Sequence, residues 1–131
     1  CKRNVLSSIM SILQNNLAEL AWTHDLNNIF KYFNNYYEII ENYKEVNPQV
    51  IYELEFQKLV NNPLEESKKL MKFCELPWDK KCLEYYKRKD LFSKTASNIQ
   101  IRSAIYKHSL EKYLPYKKFL NQYGEKYSWF N

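Results

Sequence analysis

Val5, Ile9, Ile12, Leu13, Leu17, Leu20 and Ala21 recur at the three-and-four spacing of one helical face and predict a helix over 5–21. Asp25 suits the N-cap of a second helix, which turns Leu26, Ile29, Phe30, Phe33, Tyr37 and Ile40 inward and ends near Asn47 and Pro48. At "VIYELEF" the pattern changes to strict alternation. Val50, Tyr52, Leu54 and Phe56 alternate with Ile51, Glu53 and Glu55, which predicts a strand from Val50 to Phe56. The exit, "NNPLEE", reads as a helix start. Asn62 can cap, Pro63 suits the first helical position, and Glu65 and Glu66 favour the positive helix end. That helix should run to about Cys74 and bury Leu64, Leu70, Met71 and Cys74, with Pro77 breaking it.

Asp79 can cap a short helix through Tyr86. From Lys87 to about Tyr106 the periodicity fades into a long loop, "KRKDLFSKTASNIQIRSAIY", and such loops are usually functional or disordered. Helix returns at the end, with Pro115 opening a new one and Gly124 as its expected C-cap. One short strand, even with a second arriving at Cys1, does not make a sheet. The chain also opens on Cys1 rather than Met. The expectation is therefore a mostly helical fragment of an α/β layer protein.

Composition narrows the classes. With 131 residues and 45% hydrophobic content, the chain has room for one domain and one core, and the hydrophobic share argues against disorder. No apolar run approaches the ~18 residues of a membrane span, and no signal peptide is visible, so the expected location is cytoplasmic, without a membrane partner. Cys1, Cys74 and Cys82 form no CxxC pair and read as reduced, mostly buried thiols. A zinc site from Cys74, Cys82 and a His lacks ligand spacing, so no metal is expected.

The net charge of +5 admits a small basic helical binding module for nucleic acid or an acidic partner as the alternative reading. Against it, no Lys run is longer than two, and a Lys, Asn, Ile and Tyr surplus is what AT-rich coding produces. On a Lys-rich background the three Arg, at 3, 88 and 102, stand out. Arg supplies a planar bidentate fork that Lys lacks.

Arg3 lies at the mouth of the first helix, where unpartnered first-turn amides and the helix dipole favour an anion. Ser7, Ser11 and Asn15 fall on one row beside the apolar face. An Arg fork with a hydroxyl one or two turns inside the helix can hold a phosphomonoester from two sides. From spacing alone, the same residues also describe a solvated helix start with an ordinary surface Arg.

Four ordered stretches carry a resemblance. "CKRNVLSSIMSI" resembles the 3′-phosphate motif of sulfotransferases that use 3′-phosphoadenylyl sulfate (PAPS), in which a strand-end Arg is followed eight residues later by Ser and which usually reads C-R-[RN]-[DN]-P. "WTHDLNNIFKYFNNYYEII" resembles the W-x-[HY]-x-L…Y-[YF] helix that follows it. "LEFQKLVNNPLEESKKLMKFCELPWD" resembles V-R-Y-E-D-L-V-x-x-P-E…L-x-x-F-x-G-L-P-W-D. "KTASNIQIRSAIYKHSLEKYLPY" resembles the cofactor-closing R-T-A-S-x-x-Q-V-R-x-P-I-Y-x-x-S-x-x-x-W loop. The likeness covers Cys1 to about Tyr123, and bacterial sulfotransferases fused to tetratricopeptide repeats and the tyrosylprotein sulfotransferases are the most similar in kind.

The resemblance implies a P-loop-like, three-layer parallel-sheet α/β domain, of which residues 1–131 are a single partial domain. It implies PAPS as donor cosubstrate and sulfonate transfer to a hydroxyl or amine on a small-molecule or protein acceptor, with no nucleic-acid partner. By position, Arg3 and Ser11 would bind the 3′-phosphate. Ser97, Asn98 and Gln100 would lie on the covering loop, Arg102 and Tyr106 further along it, and Lys112 would reach the nucleotide phosphates. The elbow at the N-terminus and the Thr95 to Lys112 segment would then close over one nucleotide from opposite sides.

Val5 departs from the motif's Pro, Phe56 from its Tyr, Asn15 from a second Arg and Gln57 from an acid. The family's [KR]-[ST]-G-[ST]-[ST] turn for the 5′-phosphosulfate has no counterpart here, and neither has the Glu or His base that accompanies it. Both belong to an N-terminal half of the domain, expected as a partner upstream, so this segment alone is expected to have little turnover. His24, near a helix cap, and His108, in the closing loop, read as non-catalytic. Glu53 and Glu55 read as the strand's less buried side.

Overall fold

Asn4 turns the chain into its first helix: its Oδ1 accepts from the Ser7 amide at 3.0 Å, and helix α1 runs from Val5 to Gln14. The computed structural model of the chain describes residues 1–15, 17–88, 90, 100–105 and 112–130. They fall into two compact units, Arg3–Ile51 with Ser109–Asn131, and Cys1–Lys2 with Tyr52–His108.

In the first of these units α1 stops well short of the expected residue 21. The Asn15 side chain folds back, its Nδ2 donating to the Ser11 carbonyl at 2.7 Å. A short amide side chain that competes for backbone partners favours a helix end. A turn and a 3₁₀ helix, Ala21–His24, take the place of the last turns, and the buried Thr23 hydroxyl is satisfied by the Leu20 carbonyl at 2.7 Å. Helix α2, Leu26–Val46, starts where expected, with Asp25 Oδ1 accepting from the Asn28 amide at 2.9 Å. It ends at Val46, with Asn47 as its C-cap.

The core of this unit joins Leu6, Ile9 and Met10 of α1 to Ile29 and Phe30 of α2 and to Leu120. Leu120 belongs to the C-terminal α-helix, Lys117–Gly124. Burying a side chain as large as Phe30 contributes about 1.5–3 kcal/mol, and the C-terminal residues complete its shell. Tyr123, Tyr127, Trp129 and Phe130 place their rings at 6.0, 6.3, 6.1 and 5.8 Å from that of Phe30. Gly124 is the last helical residue rather than a left-handed cap. Its role is space, because a Cβ there would lie 2.4 Å from the Phe130 ring.

The expected strand Val50–Phe56, most of which lies in the other unit, is not formed. Among the described residues there is one parallel bridge, Lys2 to Glu55. The Lys2 amide donates to the Leu54 carbonyl at 2.7 Å, and the Phe56 amide donates to the Lys2 carbonyl at 2.8 Å. Alternating exposure holds only around Leu54, which is buried between exposed Glu53 and Glu55, whereas Val50, expected on the same side, is exposed. A short stretch with a single bridging neighbour lacks the ladder that makes a strand, and helix α3, Phe56–Asn61, begins directly after the bridge.

Helix α4, Pro63–Phe73, has Pro63 at its start and Glu65 and Glu66 in its first turn, as expected. Its buried residue is Glu66, whose Oε1 accepts from Lys69 Nζ at 2.6 Å, whereas Leu64 and Cys74 are exposed and Leu70 and Met71 are half-buried. The helix closes in a Schellman turn. The Leu76 amide donates to the Met71 carbonyl at 2.9 Å, the Glu75 amide to that of Lys72 at 3.1 Å, and Glu75 sits left-handed at φ 56°. The motif that this stretch resembles has Gly at this position. Trp78 then folds back onto α4, its Nε1 donating to Ser67 Oγ at 2.9 Å.

The helix expected from Asp79 to Tyr86 is instead two 3₁₀ turns, Lys80–Leu83 and Tyr85–Lys87. The thiols of Cys1, Cys74 and Cys82 are free and exposed, not buried. Among the described residues no helix is long and apolar enough to cross a membrane.

Candidate functional site

The candidate site is the elbow that leads into α1. The bridge to Glu55 fixes Lys2, Arg3 follows, and Asn4 caps the ten-residue helix. The first turn of α1 contains no acidic residue, so nothing on it offsets the positive end of the helix dipole. Arg3 is half-buried, with its Nε screened from solvent.

Ser7 is buried and Ser11 half-buried, so the polar row climbs outward along α1 to the exposed Asn15. The Asn15 amide also donates to Ser11 Oγ, at 3.3 Å. A hydroxyl that accepts in this way keeps its own proton to donate. Arg3 lies just before the N-cap and Ser11 in the second half of α1; a delocalised cation and a neutral hydroxyl donor are the group types that a phosphomonoester takes.

The other predicted residues stand as follows. Lys112 is exposed and lies in the same compact unit as Arg3 and Ser11. Gln100 and Arg102 form a 3₁₀ turn in the other unit, with Arg102 exposed. That turn is tied by the Tyr85 hydroxyl, which donates to the Ser103 carbonyl at 3.0 Å. Ser97, Asn98, Tyr106 and His108 lie outside the described residues. Glu53 and Glu55 are not a carboxylate pair at work, since Glu53 faces Lys2 Nζ at 3.8 Å and Glu55 holds Lys58 Nζ at 2.7 Å. That bond raises the Lys58 ammonium above its ordinary pKa. Among the described residues no cluster of His, Cys, Asp and Glu could hold a metal ion.

Sequence reasoning missed the Asn4 cap, although an Asn directly before an apolar helical run is its ordinary signal. The model of the sulfotransferase family matches residues 2–80, a span that includes the elbow, α1 and the whole of α4. The chain belongs to the sulfotransferase family. Arg3 and Ser11 lie inside the matched span, whereas Ser97 to Lys112 lie beyond it. The chain is also similar to an uncharacterized protein of Aquifex aeolicus (strain VF5), with 41% identity over 123 residues that cover 91% of this chain. It spans only 16% of that relative's length. No solved structure matches it.

Proposed function

We propose that this sulfotransferase chain supplies the 3′-phosphate site of a PAPS-dependent enzyme. In that reaction the bond between sulfur and the bridging oxygen of the 5′-phosphosulfate breaks. The acceptor oxygen or nitrogen bonds to sulfur, its proton passes to a base, and adenosine 3′,5′-bisphosphate leaves. Arg3 and Ser11 hold the 3′-phosphate. Ser97, Asn98, Gln100, Arg102, Tyr106 and Lys112 serve the cover of the nucleotide. The 5′-phosphosulfate turn, the base and the remaining layers of a P-loop-like parallel sheet come from other parts of the full-length protein. The acceptor, small molecule or protein, is selected there as well.

The observation that carries the reading is the capped α1 elbow, with Arg3 at its mouth and Ser11 on its polar row, inside the family-matched span. The donor is a polyanion, and a preset cation, helix end and hydroxyl lower the reorganisation needed to bind it. Titration of Arg3→Ala with adenosine 3′,5′-bisphosphate tests it. Loss of a charge-assisted hydrogen bond is worth ~1.5–3 kcal/mol, so affinity should drop about ten- to a hundredfold. Affinity equal to that of the unaltered chain would reject the role of Arg3.

A further inference from the structure

The C-terminal segment from 112 to 130 lies wholly outside the family-matched span, yet it is bound into the body that carries α1. Leu120 shares one buried cluster with Leu6, Ile9 and Met10 of α1, and Tyr113, Tyr123, Tyr127, Trp129 and Phe130 pack around that cluster. Trp129 Nε1 donates to Asn34 Oδ1 at 3.1 Å, a polar bond between residues 95 positions apart. Gly124 leaves open the space that the Phe130 ring fills.

This strap begins at a cation. Lys112 is exposed, and the next residue, Tyr113, is packed against the core. A long flexible ammonium side chain loses conformational freedom when it closes on an anion, and a fixed backbone reduces that loss. Resting on the proposed function above, we propose that the aromatic strap, residues 113–130, positions Lys112 on the body bearing Arg3 and Ser11, with Tyr113 and Trp129 as positioning residues for nucleotide binding.

The test is a double-mutant cycle read by titration with adenosine 3′,5′-bisphosphate. Lys112→Ala should weaken binding about tenfold, as for a charged contact. Trp129→Phe keeps an aromatic ring, though a smaller one, and removes the bond to Asn34, and Gly124→Ala displaces Phe130. Each should weaken binding by a similar factor in the unaltered background and less than about twofold in the Lys112→Ala background, because both act through the same cation.

Losses that multiply in the double variants would mark the strap as general support and overturn its positioning role, as would wild-type affinity in both strap variants. Should Gly124→Ala not fold, Trp129→Phe carries the cycle alone. Binding by the unaltered chain that depends on Arg3, together with multiplying losses, removes the strap proposal and leaves the proposed function standing. No binding by the unaltered chain removes both.

Discussion

Glu75→Gly should stabilise the protein, although it deletes a charged side chain. Glu75 occupies the left-handed position of the Schellman turn after α4, at φ 56°. For a residue with a Cβ that conformation costs about 1–2 kcal/mol relative to the right-handed region. Glycine removes the penalty but gives the unfolded chain extra freedom worth about 0.5–1 kcal/mol. The balance is a gain of about 0.5–1 kcal/mol, or a rise in Tm of about 2–5 °C for a chain of this size.

Urea and thermal denaturation read the global effect, and amide exchange at Leu76, whose N–H closes the turn on Met71, reads the local one. Glu75→Ala is the control. It removes the carboxylate and keeps the Cβ, so its stability should stay within about 0.5 kcal/mol of wild type, as surface changes usually do. A glycine variant no more stable than the alanine variant, with unchanged exchange at Leu76, would refute the strain argument.

Asn4→Ala removes the side chain that accepts from the Ser7 amide and should cost about 1 kcal/mol in urea unfolding, whereas Asn4→Asp should be tolerated; an unchanged midpoint in the alanine variant would remove the cap from the account. The Arg88 guanidinium, bonded to both carboxylate oxygens of Asp90, holds that carboxyl below its ordinary 3.8. Because the folded pKa is the lower one, the pair's contribution to stability is present above 3.8 and is lost as pH falls through the lowered value. A carboxyl-detected NMR titration should show Asp90 shifted down in wild type and restored in Arg88→Gln, and a wild-type Asp90 titrating at or above 3.8 would contradict it.

What could be read along the chain was what local spacing decides. Asp25 as a cap, the inward row of Leu26, Ile29, Phe30 and Phe33, and Pro63 at the start of α4 all follow from contacts within a turn or two. The early end of α1 was hidden because apolar spacing continues through Leu17 and Leu20, and it is the Asn15 side chain that interrupts the helix. The segment 50–56 alternates as a strand does, but alternation cannot supply the neighbouring strands, and one bridge to Lys2 is all it makes among the described residues. The burial of Glu66 and the Asn34–Trp129 bond depend on tertiary neighbours that no local window contains. Of the candidate site, the helix that carries Ser11 and starts just after Arg3 was legible for the same local reason. The turn of Gln100 and Arg102 is tied to Tyr85 through the Ser103 carbonyl, a pairing that the loop's sequence does not announce.

The central claim is that the α1 elbow recognises a phosphate on the ribose 3′ position. Isothermal titration of the chain with adenosine 3′,5′-bisphosphate and, separately, with adenosine 5′-monophosphate tests it most directly. The account predicts one site that binds the bisphosphate at least about tenfold more tightly, the worth of a charge-assisted contact. Equal affinity for the two nucleotides, or no heat with either, would contradict it.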